Sequence, residues 1–362
     1  MILCLLANAV SYDTGNGIDR YSIELYKRIR RFHQTTFIEQ GRLRTPWGRL
    51  AREAVCQLRT FSSKANLYHA LSQLNSRFAV VAGKGPLVTT LHDLIPYPDS
   101  LTSFYQKDID DARARLSFAY MRWSTWFVRK SDLFIVPFEI TKTDLSRTLG
   151  IPKGKIKVIP YGVDTDTFRP QEGIHETRSR STPEHVPRRI LFVGGLSRAK
   201  GADVLMRAFS LVQKEFKDSE LLVMGDWHFF NESKLVRELG IEERVRFLGH
   251  VGEDRLPQCY NSADLIVLPS KIGFSLPILE GMACGKVVIT SDTPDIKEIV
   301  ADSALLVSPT NPNQLAETIR RALGNEELRA RISQKALSRS RLFTWDAMAL
   351  KTLAAYEEVL GN

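Results

Sequence analysis

The chain lacks the features that would place it in several large classes of protein. Its 362 residues include four cysteines, Cys4, Cys56, Cys259 and Cys284. None of their spacings is that of a thiolate metal site or a redox pair, so they read as buried thiols of a reducing cytoplasm. No apolar run reaches the ~18 residues of a membrane-spanning helix. The apolar opening, Ile2 to Val10, has no basic flank and is broken by Asn8. It reads as a buried first strand rather than a signal peptide. No nucleic-acid-binding module can be recognised, so nucleic acid is not an expected partner. What remains is a hydrophobic content of 43% and a charged content of 25%, the composition of a soluble globular protein long enough for two domains.

The net charge of +9 is unevenly spread. Residues 1 to 64 hold 11 Lys and Arg against five Asp and Glu, an excess of +6. Such a field suits an anionic membrane surface or a pyrophosphate-linked lipid. Within this region Trp47, Leu50, Ala51, Ala54, Val55, Leu58 and Phe61 recur at helical spacing, flanked by Arg49, Arg52 and Arg59. A basic amphipathic helix of this kind either lies on a membrane or turns its apolar side to the core. Trp123, Trp126 and Phe127 read as core.

Apolar strand-like runs alternate with amphipathic helical segments twice along the chain. The first series runs from Ile2 to Ile159 and includes a long helix near Phe104–Arg129; the second starts at Arg189. That alternation predicts an α/β protein, two Rossmann-like domains with parallel sheets covered on both faces and a cleft between them. Residues 172–187 have linker composition. The expected divisions are a first domain over 1–165, a linker over 166–188, a second domain over 189–344 and an amphipathic C-terminal helix over 345–362.

Several stretches stand where a strand gives way to a helix. Lys271 to Gly285 reads K-I-G-F-S-L-P-I-L-E-G-M-A-C-G. A Gly-containing turn there offers backbone N–H groups at a helix N-terminus, a ready site for anions and hydroxyls. Glu280 is expected in the helix's first turn, where its carboxylate can accept two ribose hydroxyls. Val193 to Gly201, V-G-G-L-S-R-A-K-G, repeats the arrangement with Arg198 and Lys200 as candidate cations. Gly15 to Tyr21, G-N-G-I-D-R-Y, lets the backbone approach a phosphate at Gly15 and Gly17. It is half of a dinucleotide fingerprint, with Glu39 at the end of the second strand. Leu91-His92-Asp93 ends an apolar strand, the edge at which α/β sheets hold ligands. Alone, His92 reads as a packed or turn-capping residue. Phe247 to Val251, F-L-G-H-V, places His250 at an exposed turn. Asp164-x-Asp166 has the bare spacing of a metal-binding pair but follows the last strand of the first half, so it reads as a turn.

Taken together these stretches resemble retaining glycosyltransferases of family 4, which have the GT-B fold. The resemblance runs from Gly15 to about Val307. The family segment usually reads E-G-F-G-L-P-x-x-E; its second acid is Glu280, its first is replaced by Ile272 and its middle glycine by Ser275. The pattern G-R-L-x-x-x-K-G is matched at Lys200, with Gly195 in the arginine position. V-I-P-Y-G-V-D, Val158 to Asp164, resembles the family's V-I-P-N-G-V-D. The resemblance implies that Glu280 holds the ribose, that Lys200 and Arg198 hold the diphosphate, and that Gly15 and Gly17 face it. It implies that His92 with Gly273, Phe274, Ser275 and Leu276 holds the sugar, that His250 lies near the base, and that the C-terminal helix packs back on the first domain.

The implied activity is transfer of a hexose from a nucleotide-diphosphate sugar, GDP-mannose in particular, to a glycan or lipid-linked acceptor. The implied pathway is that of surface polysaccharide, lipopolysaccharide or glycolipid, with no metal or other cofactor. The expected location is cytoplasmic, including the inner face of the cell membrane. Two other readings stay open. One is a non-catalytic nucleotide-sugar-binding partner protein, from Ile272 and Gly195. The other is an NAD-dependent oxidoreductase, from Gly15, Gly17 and Glu39.

Overall fold

The computed structural model describes residues 1–8, 17–39, 46–93, 123, 126–171, 187–225, 232–271 and 276–361, without the side chains of 46–50. The chain forms two compact units. One comprises Met1–Tyr161 with Trp345–Asn362, the other Gly162–Thr344.

In the first unit, strand β1 (Ile2–Ala7) leads to helix α1 (Gly17–Ile29), β2 (Gln34–Glu39) and α2 (Pro46–Ser62). β3 (Leu67–Ala70), α3 (Ser76–Val81), β4 (Leu87–Thr90), β5 (Leu133–Val136), α4 (Glu139–Leu149) and β6 (Ile156–Val158) follow. The strands pair in parallel in the order β2-β1-β3-β4-β5-β6. β3, β4 and β5 are buried at every position, as strands in a sheet covered on both faces must be. The chain leaves β1 for β2 on one side and returns to β3 on the other, so the carboxyl ends of β1 and β3 form the switch point. This order is not the 3-2-1-4-5-6 of dinucleotide-binding sheets, which weakens the oxidoreductase reading.

The second unit runs β7 (Arg189–Val193), α5 (Ala202–Val212), β8 (Glu220–Met224), α6 (Glu232–Glu238), β9 (Val245–Gly249), α7 (Leu256–Ser262) and β10 (Leu265–Leu268). It continues with α8 (Leu276–Ala283), β11 (Val287–Ser291), α9 (Pro294–Val300), β12 (Leu305–Val307), α10 (Pro312–Gly324) and α11 (Glu326–Ser340). The parallel order is β12-β11-β10-β7-β8-β9. Counted from β7 this is 3-2-1-4-5-6 reversed in listing, with the switch point between β7 and β10. Residues 162–171 belong to this unit and are not a loose linker. Val163 donates to the Phe343 carbonyl (2.9 Å). Phe168 is buried against Tyr260. The Asn261 amide donates to the Arg169 carbonyl (3.0 Å) and its oxygen accepts from Gln171 N–H (3.0 Å).

Helix α12 (Trp345–Leu360) packs on α1. Asp346 accepts from Arg28 (2.9 Å), and Glu358 pairs with Lys157 (2.6 Å). Its deepest anchor is Tyr356, whose hydroxyl meets His69 Nδ1 at 2.5 Å. His69 Nε2 meets Thr90 Oγ1 at 2.8 Å, and Thr90 meets the Tyr21 hydroxyl at 3.0 Å. Four elements are thus pinned by one buried polar chain, each member of which has a partner. Most of the long helix read near Phe104–Arg129 lies outside the described residues; Phe127–Lys130 forms a 3-10 turn.

Burial pushes His69 down to about 3 and His92 down to about 4. Both are therefore neutral in the folded chain, and below pH ~6.5 the unfolded chain binds protons that the folded one refuses. The first unit is expected to lose up to ~1.4 kcal/mol per pH unit for each histidine as pH falls from ~6.5 towards ~4. Hydrogen exchange of β3 and β4, corrected for intrinsic rates, measures this. His69→Gln should lower protection at neutral pH yet flatten its acid slope by about half. An unchanged slope would show that His69 is not excluded from protonation.

Candidate active site

At the switch point of the second unit, three backbone segments meet at van der Waals distance or closer. Gly201, the N-cap of α5, has φ +73°, and a Cβ there would stand 2.0 Å from the Pro269 carbonyl oxygen. A Cβ at Gly225, just after β8, would stand 2.3 Å from the Gly194 carbonyl oxygen. Lys271 N–H donates to the Ala199 carbonyl (2.8 Å), which ties the loop after β10 to the loop after β7. Leu196, fully buried, anchors the latter loop from below.

Much of the β7–α5 loop's own donor capacity is spent inside it. Ser197 N–H donates to Gly195, Gly201 N–H to Arg198 and Ala202 N–H to Ser197, while Lys200 N–H donates to Ser197 Oγ (3.1 Å). An anion here would be met chiefly by side-chain charge. Lys200 is half-buried and Arg198 exposed. Lys271 contributes a further cation, its Nζ 4.0 Å from Asp203 in the first turn of α5.

Glu280 is the fifth residue of α8, just past its first turn, because the helix begins at Leu276. It is buried, and Oε2 accepts from the Tyr260 hydroxyl at 2.5 Å. The next residue, Gly281, lets α8 approach the sheet: a Cβ there would lie 3.1 Å from Ile266 and 3.3 Å from Val288. Leu276 is buried at the helix start. Ile272, Gly273, Phe274 and Ser275 lie outside the described residues.

In the first unit Gly17 is exposed as the first residue of α1, while Gly15 lies outside the described residues. His92 sits just past β4 and is buried. Its Nε2 lies 2.8 Å from the Leu71 carbonyl oxygen and its Nδ1 2.7 Å from the Tyr161 hydroxyl. A carbonyl only accepts, so Nε2 carries the proton and Nδ1 accepts from Tyr161.

His250 is exposed beyond the edge strand β9. Asp164 caps a turn: Oδ1 accepts from Asp166 N–H (3.0 Å) and Thr167 N–H (3.2 Å), and Oδ2 from Thr167 Oγ1 (2.7 Å). Among the described residues no three His, Cys, Asp or Glu side chains lie together as a metal would need. Cys4, Cys56 and Cys284 are buried, whereas Cys259 is half-buried; burial pushes the Cys284 thiol up to about 12. Trp123 and Trp126 are exposed rather than core. Sequence reasoning missed Tyr260 and Tyr161. The first carries no motif; the second stands where the family pattern has Asn.

Comparison with known proteins bears on the whole chain. The model of Glycosyltransferase Family 4 matches residues 14–167, and that of Glycosyl transferases group 1 matches residues 174–339. A D-inositol 3-phosphate glycosyltransferase of Corynebacterium jeikeium is 32% identical over 247 residues, 64% of this chain and 58% of that protein. The chain therefore spans less than two thirds of that relative's length. The O-antigen chain mannosyltransferase B of Escherichia coli is 24% identical across 94% of this chain and 96% of its own. The crystal structure of Anabaena HepE in complex with UDP and glucose matches with a TM-score of 0.75 at 20% identity, covering 98% of this chain and 99% of that one. Two parallel Rossmann-like units, two family matches that tile residues 14–167 and 174–339, and a full-length structural likeness place the chain among the GT-B glycosyltransferases.

Proposed function

We propose that the chain transfers a hexose, with retention, from a nucleoside-diphosphate sugar to a hydroxyl of a glycan or lipid-linked acceptor in surface polysaccharide or glycolipid synthesis. The observation that carries this is the convergence of the β7–α5 and β10–α8 loops at the switch point of the second unit, with Lys200 and Arg198 on one loop. Glu280, the fifth residue of the helix after the other loop, would hold the ribose. Lys200 and Arg198 would meet the diphosphate, where negative charge grows as the glycosidic bond breaks. Fixed cations stabilise that charge most in the transition state and so raise the rate rather than merely the affinity. His92 is the proposed sugar contact. Gly17 is assigned to the diphosphate and His250 to the base. The leaving phosphate oxygen would take the acceptor's proton, so no protein base is demanded. GDP-mannose is the proposed donor, supported by the likeness to the O-antigen mannosyltransferase over nearly the whole chain.

Calorimetry with GDP-mannose, UDP-glucose and UDP-N-acetylglucosamine, without added metal, tests this reading. One sugar nucleotide should bind saturably, and Glu280→Ala should weaken it roughly ten- to a hundredfold, the worth of ~1.5–3 kcal/mol for a hydrogen bond to a charged group. Binding of none by folded protein would favour the non-catalytic alternative. Ile272→Glu, which restores the family's first acid, is expected to raise turnover by roughly the same factor. A restored acid without effect on turnover would remove Ile272 from the account of the sugar site.

The surface of α2 supports a lipid-linked acceptor and a peripheral place on the inner face of the cell membrane. The helix turns Cys56 and Thr60 inward, whereas Val55, Leu58 and Phe61 are exposed on its outer side beside Arg52, Arg59 and Lys64. Leu58 is 68% and Phe61 66% exposed. Val81 is exposed, and the Lys84 ammonium lies 5.8 Å from the Phe61 ring centre. An apolar stripe edged by cations is the pattern of a helix that lies on an anionic bilayer. No described helix is long and apolar enough to cross one. Vesicles rich in phosphatidylglycerol should co-sediment the chain, phosphatidylcholine vesicles should not, and Leu58→Glu with Phe61→Glu should abolish the binding. Equal binding to both lipids would remove the electrostatic part of this proposal.

A further inference from the structure

The surroundings of His92 include one residue that the site, as read so far, does not use. Tyr161 is the last residue of the first unit, in V-I-P-Y-G-V-D. It is half-buried, its ring nearly parallel to that of His92 with centroids 5.9 Å apart and planes at 20°. Its hydroxyl donates to His92 Nδ1 at 2.7 Å, while the opposite nitrogen is held by the Leu71 carbonyl at 2.8 Å. Tyr21 closes a third side, edge-on to His92 at 5.1 Å and to Tyr161 at 5.8 Å. The Tyr21 hydroxyl is held by Thr90, so Tyr21 fixes the wall without competing for the imidazole. Phe138 backs Tyr161 edge-on at 6.2 Å.

An imidazole has two tautomers and two ring orientations, related by a half-turn about its bond to Cβ. Leu71 alone can be satisfied by only some of these, but it acts on one nitrogen. A donor on the other nitrogen makes a single state the one in which both are satisfied. We propose that Tyr161 is a positioning residue of the donor-sugar site: its hydroxyl and ring hold His92 in one tautomer and one plane. The inference rests on the reading of His92 as a sugar contact. Asparagine, the residue of the family pattern, could donate a hydrogen bond but lacks the rigid ring that Tyr21 and Phe138 hold edge-on, so the phenol is a device of this chain.

The test uses the full chain with 15N-labelled histidine. In the wild type, His92 should give one sharp neutral imidazole signal set, with Nε2 protonated and Nδ1 shifted as an acceptor. Tyr161→Phe keeps the ring and removes the hydroxyl. The Nδ1 resonance should then move towards that of an unbonded nitrogen and broaden, while His69, which lies in a separate hydrogen-bond chain, keeps its signals. Turnover should fall about tenfold, the worth of one hydrogen bond, with donor KM changed much less. Tyr161→Asn should restore the Nδ1 shift in part but not the line width. An unaltered His92 spectrum in Tyr161→Phe overturns the proposal, as does a change at both histidines alike, which would mark a general loosening of the unit. If the wild type binds no sugar nucleotide, the transferase reading fails, and the spectrum alone then decides whether Tyr161 positions His92.

Discussion

The candidate site depends on a backbone contact that leaves no room for a side chain. At Gly201 the Pro269 carbonyl occupies the place a Cβ would take, with 2.0 Å between them. Two costs would fall on any other residue there. The left-handed φ of +73° costs an L-residue roughly 1–2 kcal/mol, while relieving the clash requires the loops to part by about an ångström. The second dominates, because it breaks the Lys271–Ala199 hydrogen bond and moves both loops that carry the charged side chains. The hydrogen bond itself contributes only ~0.5–1.5 kcal/mol net. Steric exclusion at the glycine, rather than the strength of any bond, sets where Lys200 and Lys271 stand relative to one another.

The first unit uses a different currency of order. Its buried histidines and the phenols against them are uncharged: His69 and His92 are both held neutral by burial, and the phenols of Tyr161 and Tyr356 are held well above their ordinary values, first by burial. Neutral donors and acceptors suit sugar hydroxyls, which carry no charge to answer. The second unit places cations instead, at a loop whose amides are largely occupied. In the proposed reaction this division matches the substrate, since the negative charge that grows during bond cleavage sits on the diphosphate and not on the hexose.

The two series of strands and helices were legible because buried parallel strands are continuously apolar, and the strand–turn–helix motifs fell where the structure has such turns, at Val193–Gly201 and before α8. Strand order was not legible, since the same alternation winds equally well into the β2-β1-β3 order of the first unit and the β9-β8-β7 order of the second. Nor was the direction in which α2 faces. Its spacing marked Val55, Leu58 and Phe61 as one stripe, yet the inner side is set by buried Thr60 and by Cys56, whose thiol donates to the Glu39 carbonyl of β2. The buried polar links were invisible for the same reason: Tyr161 meets His92 across 69 positions, and Tyr356 meets His69 across 287. Pairings at that distance leave no periodicity to read. The family resemblance pointed to the carboxylate at Glu280 and the histidine at His92 as site residues, but to neither of the tyrosines that hold them, Tyr260 and Tyr161.

Two departures from the family pattern fall on the proposed sugar side, Ile272 for an acid and Tyr161 for asparagine, while on the nucleotide side Glu280 and Lys200 keep the pattern and Gly195 departs from it. Their consequences differ in kind. Contacts to the ribose, far from the reacting carbon, are made in the ground state as well as the transition state, so they set affinity, whereas the cations on the diphosphate answer charge that grows as the bond breaks. A contact to the hexose that tightens as the ring flattens and charge develops acts on the chemical step. Loss of one charged hydrogen bond there, ~1.5–3 kcal/mol, slows that step and leaves donor affinity almost unchanged. In the proposed site, with the acid gone, a larger share of the hexose's orientation would fall to His92, and an imidazole free to turn over would scatter it. In the proposed site a phenol held by its neighbours' rings and donating to the second nitrogen removes that freedom, so on this proposal Tyr161 compensates in rigidity for part of what Ile272 gives up in charge.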